Sequence, residues 1–176
     1  MHNATSKISK ATLDDFVGYD YIKNDIKDII DILSDTKRYR EFGVDIPKGL
    51  ILSGAPGLGK TLLTRIISGE TGLPTFNISA SEEKTSANKV CKQISNIFNK
   101  AQKHAPSIVI MDELDRMIPN DDFTSDKSRS ILSTLLTNLD GVCGDHSGVF
   151  VIATTNGWDD IDDALKRAEA IVNQKG

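Results

Sequence analysis

Eight consecutive residues follow the pattern G-x-x-x-x-G-K-[ST]: Gly54-Ala55-Pro56-Gly57-Leu58-Gly59-Lys60-Thr61. Glycines at this spacing let successive backbone N–H groups turn inward and form a concave nest for an anion. The pattern predicts that Lys60 reaches the β- and γ-phosphates of a nucleotide and that the Thr61 hydroxyl is a ligand of Mg²⁺. The candidate nucleotide-binding residues are these eight and Leu62, which follows them.

The segments on either side of this loop are the ones that phosphate binding requires. Residues 49–53 form a short apolar run of the length expected for a buried strand. Apolar residues then recur at helical spacing: Leu62, Leu63, Ile66 and Ile67. A helix that begins at the loop points its positive N-terminal end at the phosphates. A glycine-rich turn that contains a Lys-Thr pair by chance is the alternative, and the flanking strand and helix argue against it.

A second apolar run, residues 107–111, ends in two acids, which is the Walker B pattern. We expect Asp112 to hold Mg²⁺ through its water shell and Glu113 to accept a proton from the attacking water. An acid pair that only opens a loop or caps a helix is the alternative, and the upstream phosphate-binding loop argues against it. Asp115 and Arg116 follow, and we interpret them as a subunit-contact or loop salt-bridge pair.

The next predicted strand, residues 149–154, has the polar exit Thr155-Asn156. At that position the Asn156 amide is expected to orient the lytic water or to touch the γ-phosphate. An asparagine turn after a strand is the alternative.

Composition narrows the class of protein. The chain has 176 residues, enough for one domain with a full core, and its net charge of −4 does not suggest a nucleic-acid binder. No apolar run approaches the roughly 20 residues that cross a bilayer, and residues 1–10 lack an apolar signal core. We therefore expect a cytoplasmic protein with no membrane segment. Cys91 and Cys143 are expected to be thiols and not a disulfide.

Strands and helices alternate along the chain. Further helices are predicted at 21–34, 88–104, 126–139 and 164–172, and a further strand at 75–78. This alternation indicates parallel β-α-β units with helices on both faces of one sheet. Ligands of such sheets bind at the carboxyl ends of the strands, where every motif above falls. Residues 1–11 are expected to be a flexible tail and residues 12–176 one domain.

Taken together, these motifs resemble the AAA ATPases, and most closely the ATPase module of the membrane-anchored FtsH type and its proteasomal relatives. The similarity runs from about Thr12 to Arg167. Its further segments are residues 12–18, 46–49, 139–141 (the Met-Asp-Gly that ends a helix in the family) and the second region of homology, 159–167.

The resemblance implies a three-layer α/β P-loop NTPase fold, the AAA large subdomain, with a parallel sheet of order 5-1-4-3-2. It implies that the backbone near Val17 and Gly18 contacts adenine and that Asn156 is the sensor-1 residue. It also implies that Arg167 acts on the nucleotide of a neighbouring subunit in a homo- or hetero-oligomer, with a protein substrate or adaptor as a further partner.

The chain departs from the family in several places. Arg167-Ala168-Glu169-Ala170 replaces R-P-G-R, so the second arginine is absent. Residues 82–88, where the pore loop is expected, contain no aromatic residue. We expect the fifth strand and the helical lid to be missing from this chain. No H-E-x-x-H occurs, so no zinc protease is expected within it.

Three hypotheses follow. The first is a Mg-dependent ATPase of the AAA type that remodels proteins within an oligomer. The second is a nucleotide-binding interaction module that hydrolyses ATP slowly, acting on or within a related AAA ring; the missing lid, pore aromatic and second arginine favour it. The third is a truncated AAA fragment without threading activity.

Overall fold

The computed structural model describes residues 11–16, 20–44, 46–79, 86–118, 125–142, 148–159, Leu165 and 172–173. Residues 1–10 of the predicted tail, Val17, Gly18, Cys143, residues 82–85 of the expected pore loop and Arg167 lie outside these residues.

The described residues form six helices, five strands and one short 3-10 turn, Leu13–Asp15. The helices are α1 Asp20–Ser34, α2 Thr36–Glu41, α3 Lys60–Thr71, α4 Ala87–Lys103, α5 Leu114–Met117 and α6 Asp126–Val142. The strands are β1 Gly49–Ser53, β2 Thr75–Ser79, β3 Ser107–Asp112, β4 Val149–Thr155 and β5 Val172–Asn173.

All strand pairs in the sheet are parallel, and the order is β2-β3-β4-β1-β5. The predicted α/β class and the order 5-1-4-3-2 are therefore confirmed. The expectation that the fifth strand is missing is wrong, because Val172 and Asn173 pair with Leu50 and Ile51 of β1. The helix predicted to run to Val172 is also wrong at that residue. A β-branched residue favours the extended conformation, and pairing there satisfies the open backbone edge of β1.

Two apolar layers cover the two faces of the sheet, because successive side chains along a strand point to opposite faces. Ile51, Val109 and Val151 pack in one layer with residues of α4 and α6. Leu50, Ile108 and Ile152 pack in the other with residues of α1 and α3. The three-layer arrangement holds the strand ends in place, and polar residues gather at the carboxyl ends of β1, β3 and β4.

Helices α1 and α4, whose apolar residues are strongly periodic, begin and end within one residue of their predicted limits. Helix α2 was not predicted. Helix α2 begins after Asp35, whose side chain accepts a hydrogen bond from the backbone N of Arg38 at 3.2 Å. Helix α6 continues through Gly141 to Val142, so the 139–141 segment does not end it as the resemblance implied. In the described part of the chain, no helix is both long enough and apolar enough to cross a membrane.

Candidate nucleotide-binding site

The phosphate-binding loop connects the end of β1 to the first residue of α3, as the sequence predicts. Gly57 and Gly59 have φ angles of +85° and +84°, a backbone region that favours glycine. Gly59 has a second constraint, since a Cβ there would lie 2.9 Å from Cε2 of the buried Phe16. The ring of Phe16 therefore packs directly against the loop, and the loop conformation depends on glycine at positions 57 and 59.

The ammonium group of Lys60 lies across the mouth of this loop. Its Nζ donates hydrogen bonds to the carbonyl oxygens of Gly54 at 2.5 Å and Ala55 at 3.0 Å, and to Oδ1 of Asn156 at 3.1 Å. The lysine thus bridges the end of β1 and the end of β4. Phosphate oxygens make charge-assisted hydrogen bonds with ammonium groups and are stronger acceptors than these neutral oxygens.

Thr154 of β4 connects the two acids that follow β3. Its hydroxyl donates to Oδ1 of Asp112 at 2.5 Å and accepts a hydrogen bond from the backbone N of Glu113 at 3.0 Å. Thr154 is only 1% exposed, and both bonds are partly buried. One buried hydroxyl thereby fixes the side chain of Asp112 and the backbone of Glu113. Thr154 was not predicted as a site residue, although a hydroxyl at the carboxyl end of a core strand is a signal for such a role.

Glu113 has a φ of +55°, the left-handed region, which costs a non-glycine residue about 1–3 kcal/mol. Among the described residues it is the one non-glycine residue with a positive φ. Such strain is typical of residues at functional sites. The predicted base therefore lies at a sharp turn between β3 and α5.

Asp115 and Arg116 do not form the loop salt bridge that was one of the two interpretations of this pair. Arg116 Nη1 contacts Glu113 Oε2 at 2.6 Å, so Arg116 is bonded to Glu113 and not to Asp115. The hydrogen bond and negative charge of Glu113 raise the pKa of Arg116, and the charge of Asp115 adds a smaller effect in the same direction. Asp115 instead accepts hydrogen bonds from the backbone and side chain of Asn156. The one-turn helix α5 directs these two side chains toward different partners.

These groups line one cleft of about 490 Å³, a size typical of small-molecule sites. The lining residues are Pro56, Gly57, Gly59, Lys60, Thr61, Leu62, Asp112, Glu113, Arg116, Thr154, Thr155 and Asn156. The structure thus brings the predicted metal ligands, base and sensor together with most of the loop. Gly54, Ala55 and Leu58 belong to the loop but do not line the cleft, while Val17, Gly18 and Arg167 lie outside the described residues.

The oxygen atoms in this cleft fit Mg²⁺. Asp112 uses one carboxylate oxygen for Thr154, and its other oxygen has no partner among the described residues. The Thr61 hydroxyl likewise makes no hydrogen bond within the described segments, and Thr61 is exposed to the cleft. Among the described residues, no group of three or more Asp, Glu, His or Cys side chains is placed to hold a metal ion without further ligands. Mg²⁺ is ordinarily held by one or two protein oxygens together with phosphate oxygens and water, and Asp112 and Thr61 offer such protein oxygens here.

A parallel sheet with a phosphate loop after its first strand and acids at the end of β3 defines a P-loop nucleotide-binding domain. Comparison with known proteins identifies the family: residues 50–175 match the "ATPase family associated with various cellular activities (AAA)", and the chain belongs to it. The predicted resemblance to FtsH-type AAA modules is also confirmed.

Three relatives show the extent of that similarity. The chain is 36% identical over 168 residues to ATP-dependent zinc metalloprotease FtsH 3 of Symbiobacterium thermophilum. It is 39% identical over 169 residues to FtsH of Marinobacter nauticus, and 38% identical over 161 residues to chloroplastic FTSH 2 of Arabidopsis thaliana. The matches cover 93%, 93% and 89% of this chain but only 27%, 26% and 23% of the relatives. The chain therefore spans about a quarter of their length.

Proposed function

We propose that this chain binds Mg-ATP in the cleft between the phosphate loop and the acids after β3, and hydrolyses it to ADP and phosphate. The observation that carries the proposal is the convergence of Lys60, Thr61, Asp112, Glu113 and Asn156 on one cleft. Membership of the AAA family and similarity to ATP-dependent relatives support the same reaction.

In the proposed mechanism, the loop backbone and Lys60 bind the phosphates, and Lys60 exchanges its bonds to Gly54 and Ala55 for phosphate oxygens. The oxygen of a water molecule forms a bond to the γ-phosphorus, and the bond from that phosphorus to the bridging oxygen of ADP breaks. Glu113 takes the proton that the water loses and passes it to solvent. Asn156 orients the reacting groups at the γ-phosphate end of the cleft.

Thr61 and Asp112 are the residues that would hold Mg²⁺, which would supply neutralisation of the phosphate charge. Asp112 would offer the carboxylate oxygen that Thr154 does not bond, while Thr154 fixes the orientation of that carboxylate. The exposed hydroxyl of Thr61 and the positioned carboxylate of Asp112 line the same cleft, which supports this assignment.

The proposed setting is an oligomer of AAA subunits that acts on a protein substrate. We propose residues 12–176 as the AAA large subdomain, with Val17 and Gly18 near the adenine and Arg167 reaching a neighbouring subunit's nucleotide. The relatives are named ATP-dependent zinc metalloproteases. For this chain we propose the ATP-driven activity and not the proteolysis.

Steady-state ATPase activity measured against protein concentration tests this proposal. Turnover per subunit that rises steeply with concentration is expected if neighbouring subunits complete the site. Bound nucleotide with no turnover at any concentration would contradict hydrolysis while preserving nucleotide binding.

A slowly hydrolysing nucleotide-binding module is the second candidate. The observation that favours it is the 2.6 Å contact between Arg116 and Glu113, which occupies one oxygen of the proposed base.

The polar sequence of residues 82–88 also lacks the aromatic ring that grips a threaded polypeptide through its large apolar area. On this reading the chain alone does not unfold a tagged fluorescent substrate in the presence of ATP. Unfolding only after addition of a full-length AAA subunit would support action within a mixed ring, whereas unfolding by the chain alone would contradict this candidate.

A further inference from the structure

Three side chains from separate segments form a continuous hydrogen-bonded chain at one side of the cleft. Lys60 Nζ donates to Asn156 Oδ1 at 3.1 Å. Asn156 Nδ2 donates to Asp115 Oδ2 at 3.3 Å, and the backbone N of Asn156 donates to Asp115 Oδ1 at 3.3 Å. Both oxygens of Asp115 are thus directed at one residue, which lies 41 positions away in the sequence.

The chemistry of the two end groups determines which way the amide of Asn156 faces. A carboxylate only accepts hydrogen bonds and an ammonium group only donates them. Rotation of the amide by half a turn would place its oxygen against the Asp115 carboxylate and its nitrogen against Lys60. Two hydrogen bonds would then become two contacts between groups of like polarity, so Asp115 and Lys60 together select one orientation.

Asp115 also links the proposed sensor to the proposed base. It lies in α5, two residues after Glu113, and α5 follows β3 directly, whereas Asn156 follows β4. The hydrogen bonds that Thr154 donates to Asp112 and accepts from the backbone N of Glu113 connect the same two strand ends at a partly buried position. Asp115 adds a second connection between these strand ends, and this connection holds Asn156, a residue that lines the cleft.

We propose that Asp115 is a positioning residue for ATP hydrolysis, which holds Asn156 with its amide oxygen toward Lys60. This inference rests on the proposed function. Asp115 itself does not line the cleft, so it acts through Asn156 and not on the phosphates. Asn156 is exposed and Asp115 is partly exposed, so water competes for these bonds and the expected effect is moderate.

Kinetics of Asp115 variants test the proposal. We expect Asp115→Ala to lower kcat about tenfold and to change KM for ATP less than threefold, because misplaced groups slow chemistry more than binding. Asp115→Asn keeps the shape and one acceptor oxygen, so it should fall between Asp115→Ala and the wild type. Asp31→Asn is the matched control, since Asp31 is an exposed acid on α1. Thermal melts establish that each variant is folded.

A double-mutant cycle separates positioning from a general structural role. If Asp115 acts through Asn156, the double variant Asp115→Ala with Asn156→Ala should be no slower than Asn156→Ala alone. Two independent losses of rate that multiply would overturn the proposal. So would an unchanged kcat in Asp115→Ala.

A measurement without nucleotide keeps this inference distinct from the proposed function. The side-chain amide signal of Asn156 in a ¹⁵N-labelled sample can be assigned by its loss in Asn156→Ala. We expect Asp115→Asn to shift that signal and to speed its hydrogen exchange, with no such change in Asp31→Asn. An unaltered signal would contradict the positioning role even if the wild type hydrolyses ATP. A wild type without turnover would contradict the proposed function, and with it the kinetic part of the inference.

Discussion

The two walls of the cleft are built in different ways. The wall formed by the phosphate loop depends on backbone conformation, with positive φ angles at Gly57 and Gly59. The wall formed by the acids depends on side-chain hydrogen bonds between strand ends, made by Thr154 and Asp115. The first wall can be found from consecutive residues, whereas the second depends on partners brought together by the parallel sheet. Substitutions in the two walls should therefore have different consequences.

Glu113→Gln should have the largest effect of the substitutions on the acid wall. It preserves shape and removes basicity, so turnover should fall at least ~100-fold while ATP affinity changes little. Single-turnover hydrolysis and equilibrium binding measure the two quantities separately. Glu41→Gln, at an exposed position on α2, is the control. Wild-type turnover in Glu113→Gln would show that another group activates the water.

Gly59→Ala tests the backbone wall. The new Cβ would meet Phe16 at 2.9 Å and would sit at a φ of +84°, so we expect a loss of about 1–3 kcal/mol in the free energy of unfolding. Gly141→Ala is the matched control, because Gly141 lies in α6 and a Cβ there has nothing within 4 Å. Chemical denaturation measures both variants. If Gly59→Ala had the same free energy of unfolding as the wild type, the loop would not depend on glycine at position 59.

Thr154→Val should have a smaller effect on stability than Gly59→Ala. Valine keeps the volume and β-branching of threonine but leaves the backbone N of Glu113 without its acceptor, at a cost of about 1 kcal/mol. Thr154→Val should also weaken the Mg²⁺ dependence of nucleotide binding, because the carboxylate of Asp112 loses its hydrogen-bond donor. Thr154→Ser retains the hydroxyl and should recover much of this dependence. Should Thr154→Val bind Mg-ATP as the wild type does, the hydroxyl would not be needed to position Asp112.

The sequence predicts some parts of this molecule better than others for physical reasons. β1 and the phosphate loop follow from local patterns, and β3 is predicted to within one residue. Helix α2 is only six residues long, too short for periodicity to reveal it. β5 was missed because a two-residue strand is stabilised by the edge of β1 and not by its own pattern.

The same distinction holds within the site. Lys60 was found from the phosphate-binding loop pattern, and Asp112 and Glu113 were found from the Walker B pattern, because each motif consists of consecutive residues. The contact between Arg116 and Glu113 could not be predicted in this way. Asp115 is adjacent to Arg116 and Glu113 lies three residues before it, so the spacing permits an ion pair with either acid. In the structure Arg116 bonds to Glu113, while Asp115 accepts hydrogen bonds from Asn156, a residue far away in the sequence.

The central claim is that the backbone wall binds the phosphates of ATP, and the most direct test is thermal unfolding with and without Mg-ATP. At a free ATP concentration of a hundred times Kd, binding should stabilise the fold by about 2.7 kcal/mol. Lys60→Ala should abolish most of this gain, whereas Lys92→Ala, at an exposed position on α4, should retain it. A wild-type melting temperature that Mg-ATP leaves unchanged, with Lys60→Ala behaving as the wild type does, would contradict the account.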